Sequence, residues 1–180
     1  MKSSLLEKTI ARKDIYNGKV VKLHVDDIML PDGTASKREV VDHCKGVCVL
    51  AVDSEDKIYL VEQYRYPVSS QILELPAGKV EEGEDIFECA LRELSEETGV
   101  SGSDYELLGS FYVSPGFTDE EIYMYFCRVD DKKDSHPDEG EFIYTQRYSA
   151  EEIFEMIEKG DIKDGKTIMA MYIASSRKLI

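Results

Sequence analysis

The hydrophobic pattern of this chain changes period at Asp85, and that change restricts the architecture more than any other feature. Upstream, residues 47–52 and 58–63 are apolar runs of strand length joined by the polar stretch 53–57, and residues 72–75 suggest a further strand. From Asp85 onward Phe87, Ala90, Leu91 and Leu94 recur at helical spacing, and Gly99 supplies a C-terminal stop. Strands resume near 106–113, 122–129 and 142–148. Ser149 then caps a helix over 150–159 that Gly160 stops, and a last helix runs over about 164–178. One helix set into a run of strands predicts a mixed α+β domain, not repeated βαβ units.

The N-terminal part has a different character. Residues 8–16, 20–30 and 38–43 read as strands, with turns at Asn17-Gly18 and at Pro31-Asp32-Gly33, where proline presets φ and glycine supplies positive φ. This gives a division into an N-terminal β region, 1–45, and a main domain, 46–180. Residues 130–140 have no apolar periodicity and read as a loop.

Charge bears on function. The net charge of −15 argues against a nucleic-acid partner, whose binding surface should be basic. Its distribution is uneven: residues 1–45 carry nine Lys/Arg and seven Asp/Glu, so the acidity lies in the remainder. A mildly basic arm could lie over an acidic partner, or be ordinary surface variation. With 42% apolar and 33% charged residues the composition is that of a globular chain. No stretch approaches the roughly 18 apolar residues that span a bilayer, and no secretory signal is evident. Cys44, Cys48, Cys89 and Cys127 form no disulfide-like framework and read as buried reduced thiols. The expectation is a cytoplasmic protein with no membrane partner.

The chemistry concentrates in residues 78–100, GKVEEGEDIFECALRELSEETGV. Glu93 and Glu97 stand one helical turn apart and share a face, and Glu96 lies within about 60° of Glu93. The other face carries the apolar stripe. Like charges at this spacing oppose each other by a few tenths of a kcal/mol per pair, a penalty that a divalent cation removes. Oxygen-only ligands suit Mg²⁺ or Mn²⁺. Arg92 can pair with Glu88 or Glu96, each four residues away. Gly78 permits a close backbone approach, and Gly83 a sharp turn into the helix. An acidic helical face taken alone is more often plain solvated surface.

The full pattern resembles the Nudix box, Gly-x5-Glu-x7-Arg-Glu-U-x-Glu-Glu-x-Gly-U with U aliphatic. Gly78, Glu84, Arg92, Glu93, Leu94, Glu96, Glu97, Gly99 and Val100 fit every specified position. The resemblance implies a Nudix α/β/α sandwich with a mixed sheet, an N-terminal antiparallel region, and hydrolysis of a pyrophosphate bond. It implies two or three divalent cations, Mg²⁺ or Mn²⁺, held by Glu93, Glu96, Glu97 and the carbonyl of Ala77.

The flanks are similar to the ADP-ribose pyrophosphatase branch. They comprise Val61-Glu62-Gln63-Tyr64-Arg65-Tyr66-Pro67, Glu74-Leu75-Pro76-Ala77-Gly78 and Ser114-Pro115-Gly116-Phe117-Thr118-Asp119-Glu120. By that likeness ADP-ribose is the substrate, Arg65 contacts a phosphate and Glu74 supports the metal site. Pro115 and Gly116 line the substrate, unless they form a plain turn, and Tyr16 or Tyr64 could stack on adenine or simply pack. The general base would be a loop glutamate, Glu141 or Glu139, with alignment favouring Glu141. Members of the branch form homodimers by exchanging N-terminal strands. Where they usually read His-Pro-Gly-Ala-Val, this chain has His43-Cys44-Lys45-Gly46-Val47, which puts a local loop in doubt. The rival readings are a hydrolase of another nucleoside-diphosphate sugar or nucleotide, and a catalytically silent nucleotide sensor, which should have lost the glutamates that are present here.

Overall fold

The computed structural model describes residues 5–132 and 142–180. These form two compact units: the described residues up to Lys45 together with Tyr112–Glu121, and Gly46–Phe111 with Ile122–Ile180.

In the first unit β1 (Lys8–Asn17), β2 (Lys22–Met29) and β3 (Ala35–Asp42) form an antiparallel sheet in that order. Gly33, at φ 87°, makes the β2–β3 turn, and its N–H donates to the Leu30 carbonyl at 2.9 Å. Alternation along β2 buries His24, Asp26 and Ile28 on one face. That polar interior is internally satisfied: His24 Nδ1 lies 3.0 Å from Asp26 and Nε2 3.3 Å from Asp42, while Arg12 Nε donates to Asp26 at 3.1 Å. The 112–121 segment is tied to β3, where the Val41 N–H donates to the Phe117 carbonyl at 2.7 Å.

The second unit is built on a seven-stranded mixed sheet. Its strands are β4 (Gly46–Val52), β5 (Ile58–Arg65), β6 (Ser70–Glu74), β7 (Ala77–Lys79), β8 (Val100–Tyr112), β9 (Glu121–Lys132) and β10 (Tyr144–Tyr148). The order is β10-β5-β4-β9-β8, with β6 paired to β5 and β7 to β4. β4 runs parallel to β9 and antiparallel to β5 and β7.

Every residue of β4 is buried because the sheet is covered on both faces. Cys48, Leu50 and Val52 meet Ile153 of α2 (Ala150–Lys159) and Ala170, Met171 and Ala174 of α3 (Gly165–Ser176). Val47, Val49 and Ala51 meet Cys89, Ala90 and Leu94 of α1 (Ile86–Thr98). The layers are therefore α/β/α, as the sequence implies. Truncating Leu94, which is wholly buried, to alanine would cost about 2–5 kcal/mol.

Several local expectations shift. Phe87 lies at the rim of the α1 stripe, not inside it, with its ring 5.2 Å from Tyr105 and 5.6 Å from Tyr125. Cys44 is exposed, whereas Cys48, Cys89 and Cys127 are buried; all four are free thiols. β8 starts at Val100, directly after the helix stop. Its polar opening Ser101–Tyr105 hides the strand period, and Asp104 and Gly109 both take positive φ within it.

Candidate active site

α1 is fixed at both ends by its own sequence. Asp85 caps it, accepting from the Phe87 N–H at 2.8 Å and the Glu88 N–H at 3.3 Å, and Gly99 ends it in the left-handed region. With Leu94 in the core, Glu93 and Glu96 are half-buried and Glu97 is buried at 5% exposure. The short strand β7 lies against this acidic face. The Ala77 N–H donates to Glu97 Oε2 at 2.9 Å. A Cβ on Gly78 would stand 1.8 Å from Glu93 Cδ, so only glycine admits the carboxylate there. The close approach that Gly78 permits is thus to Glu93.

Arg92 gathers the carboxylates. It holds Glu84 with two hydrogen bonds, Nε to Oε1 at 2.8 Å and Nη2 to Oε2 at 3.0 Å. Its Nη1 also donates to Glu93 Oε1 at 2.8 Å and Glu96 Oε2 at 2.9 Å. The pairing with Glu96 follows the four-residue spacing, but the further partners are Glu84 and Glu93 and not Glu88. Helical side chains lean toward the N-terminus, so the long arginine reaches beyond the first turn to a loop carboxylate that offers a planar, two-point fit.

This bond from Arg92 holds the Glu84 carboxyl down at about 2, against the desolvation that would raise it. A depressed folded-state pKa contributes stability that is complete above the ordinary glutamate range and is lost as pH falls toward 2. Glu84→Gln should therefore flatten the loss of folding stability between about pH 4.5 and 2, read from urea midpoints across that range. Equal slopes for the two proteins would contradict the assignment.

The donor set suits a hard divalent cation: three carboxylates on one helix face, beside the backbone of Ala77. Among the described residues no three acidic, histidine or cysteine side chains already converge closely enough to hold a metal ion without rearrangement.

A second cluster stands just before β7. Glu74, 1% exposed, accepts from Arg65 Nε at 2.8 Å on Oε1 and from Lys166 Nζ on Oε2. Lys166 also donates to Asp164 at 3.0 Å, and Thr167 Oγ1 accepts from the Leu75 N–H at 2.8 Å. Burial disfavours the Arg65 charge, but the bond to Glu74 and the nearby Glu97 and Asp164 outweigh it and raise its pKa. Glu74 and Arg65 are thus joined in one ion pair. Lys166, Asp164 and Thr167 were not among the residues singled out from sequence. A signal existed: Lys166 sits in the first turn of α3, where a cation opposes the helix dipole and needs an acidic partner.

The remaining candidates are more dispersed. Tyr64 is exposed on β5. Tyr16 and the Pro115–Gly116 turn belong to the first unit, where the Tyr16 ring lies over Gly18. Glu139 and Glu141 lie outside the described residues.

Comparison with known proteins accords with this geometry. A family model described as the NUDIX domain matches residues 42–171. A methanol dehydrogenase activator from Bacillus methanolicus is 47% identical over 92% of this chain and 90% of its own length. An ADP-ribose pyrophosphatase from Bacillus subtilis (strain 168) is 42% identical over 93% of this chain and 92% of its own. The crystal structure of an ADP compounds hydrolase superposes with a TM-score of 0.86, at 18% identity, covering 96% of this chain and 95% of that one, which shows a shared fold. With the domain model matched across most of its length and relatives aligned along nearly all of it, this chain belongs to the NUDIX family.

Proposed function

We propose that this NUDIX hydrolase cleaves the pyrophosphate bond of ADP-ribose, releasing AMP and ribose 5-phosphate. The observation that carries the reading is the packing of Glu93 and Glu97 of α1 against the backbone of Gly78 and Ala77 in β7, which brings two carboxylates together beside that strand. The likeness to an ADP-ribose pyrophosphatase along nearly the whole chain supports the choice of substrate.

In this reading Glu93, Glu96, Glu97 and the Ala77 carbonyl would hold two or three Mg²⁺ or Mn²⁺ ions. Bound there, such ions neutralise the diphosphate and activate water for attack on phosphorus. The chain's own residues do the rest. Arg92 holds Glu93 and Glu96 in place through its hydrogen bonds. Arg65, whose side chain is 42% exposed, pairs with a substrate phosphate while Glu74 holds it from behind. Glu141, or failing it Glu139, accepts the proton from the attacking water. Tyr16 or Tyr64 stacks on adenine, and Pro115–Gly116 borders the substrate. Residues 1–45 serve as an arm exchanged in a homodimer and 46–180 as the catalytic domain; β1, exposed along its whole length, supports this. The four free cysteines support a cytoplasmic setting.

A substrate panel scored by product identity, with and without EDTA, tests the proposal. ADP-ribose should yield AMP and ribose 5-phosphate at the highest kcat/KM, and chelator should abolish turnover. A higher kcat/KM for a GDP-sugar, or hydrolysis that survives EDTA, would overturn it. The likeness to a methanol dehydrogenase activator favours a second reading, in which the same hydrolytic site serves to activate a dehydrogenase. An increase in methanol dehydrogenase rate on addition of this protein, absent with a Glu97→Gln variant, would establish it.

A further inference from the structure

The cluster around Glu74 has more members than its position beside the box requires. Two cations share one carboxylate, Arg65 on Oε1 and Lys166 on Oε2. Asp164 takes a second bond from Lys166 at 3.0 Å, so the four charges balance. Their exposures are unequal: the Glu74 side chain is 1% accessible, Lys166 9% and Asp164 15%, whereas Arg65 is 42% accessible. Three members are enclosed, and one cation faces outward.

A buried carboxylate must be neutralised. If Arg65 were its sole partner, the guanidinium would spend its charge on Glu74 and present little net field to an incoming anion. Lys166 alters that balance by meeting the other oxygen, and of its two acidic neighbours Glu74 is the more deeply buried, so solvent screens it least. We propose that Lys166 is a positioning residue for substrate binding, which neutralises Glu74 from α3 so that Arg65 keeps its positive charge for an anionic phosphate. This rests on the reading of Arg65 as the phosphate contact. The residue acts through Glu74 and Arg65 and does not itself touch substrate.

ADP-ribose binding measured by calorimetry in EDTA isolates this effect from turnover and from metal. Arg65→Gln should weaken binding by about tenfold or more, and Lys166→Met by about tenfold, from loss of one nearby charge. The double variant Lys166→Met/Asp164→Asn removes the second cation together with its own compensating charge, leaves Glu74 to Arg65 alone, and should weaken binding about tenfold as Lys166→Met does. Thr167→Val, which loses the hydrogen bond from the Leu75 N–H and the one its hydroxyl donates to Asp164 without changing charge, should bind as wild type does. If Arg65→Gln weakens binding while Lys166→Met leaves it unchanged, the role of Lys166 is wrong and that of Arg65 stands. If Arg65→Gln has no effect, the phosphate assignment fails and the inference falls with it. Should Lys166→Met not fold, as its thermal melt would reveal, the charge-balanced double variant decides. A tenfold loss there supports the proposal, and wild-type affinity overturns it. Weakening by Thr167→Val equal to that of Lys166→Met would also overturn it, since anchoring of the strand would then explain both.

Discussion

Glu97→Gln should lower turnover by roughly three orders of magnitude while the protein stays folded. The carboxylate is buried, and its Oε2 accepts the Ala77 N–H at 2.9 Å. Glutamine has the same shape, and its amide oxygen can accept the same hydrogen bond, so the contact between α1 and β7 survives. The backbone carbonyl of residue 97 still accepts from Thr145 Oγ1 at 3.1 Å, because that bond does not involve the side chain. What is removed is one full negative charge from the place where cations would gather. Glu93, one turn earlier, then faces less like-charge repulsion, so the melting temperature should hold or rise slightly. The loss should appear in kcat and in the metal concentration required, with far-UV circular dichroism unchanged. A turnover within tenfold of wild type would remove Glu97 from the chemistry.

The contrast between α1 and its surroundings shows which parts of this protein local sequence can specify. Helix boundaries, caps and the acidic ridge follow from i, i+3 and i+4 relationships, which the linear order displays directly. Asp85, Gly99 and the Ser149–Glu152 capping box all act as their positions imply. The short strand β7 escaped that reading because three residues carry no detectable period, although its backbone receives the glutamates. The opening of β8 escaped because its pairing with β9 stabilises a polar segment that propensity alone would leave as loop. Helical spacing gives Arg92 its neighbour Glu96 but not its loop partner Glu84, since side-chain length and two-point geometry outweigh spacing. The Glu74–Lys166 pair joins residues 92 apart in sequence, and nothing local encodes such a contact. The acidic ridge is legible because it lies on one helix, whereas the groups around Glu74 come from distant segments.

Gly78→Ala should separate activity from stability without altering any charged residue. The added Cβ would stand 1.8 Å from Glu93 Cδ, 2.0 Å from Oε1 and 2.2 Å from Oε2. No backbone atom is among these nearest neighbours, so the collision is with the free end of a flexible side chain. Rotating Glu93 away relieves it for about 0.5–1.5 kcal/mol of rotamer strain. Gly78 does not take positive φ, so alanine at this strand position recovers some of that cost by restricting the unfolded chain. The net change in folding free energy should stay within about 1 kcal/mol. The site fares differently. Glu93 can no longer rest against β7, its 2.8 Å bond from Arg92 must break or lengthen, and its carboxylate shifts by an ångström or more. A misplacement of about 1 Å in a catalytic group can cost about a hundredfold in rate, and a loss of that size is expected here. Urea denaturation and steady-state kinetics on the same preparation would decide. A hundredfold loss with an unchanged midpoint supports the close approach of Glu93 to β7, whereas wild-type turnover would mean that the carboxylate works from another position.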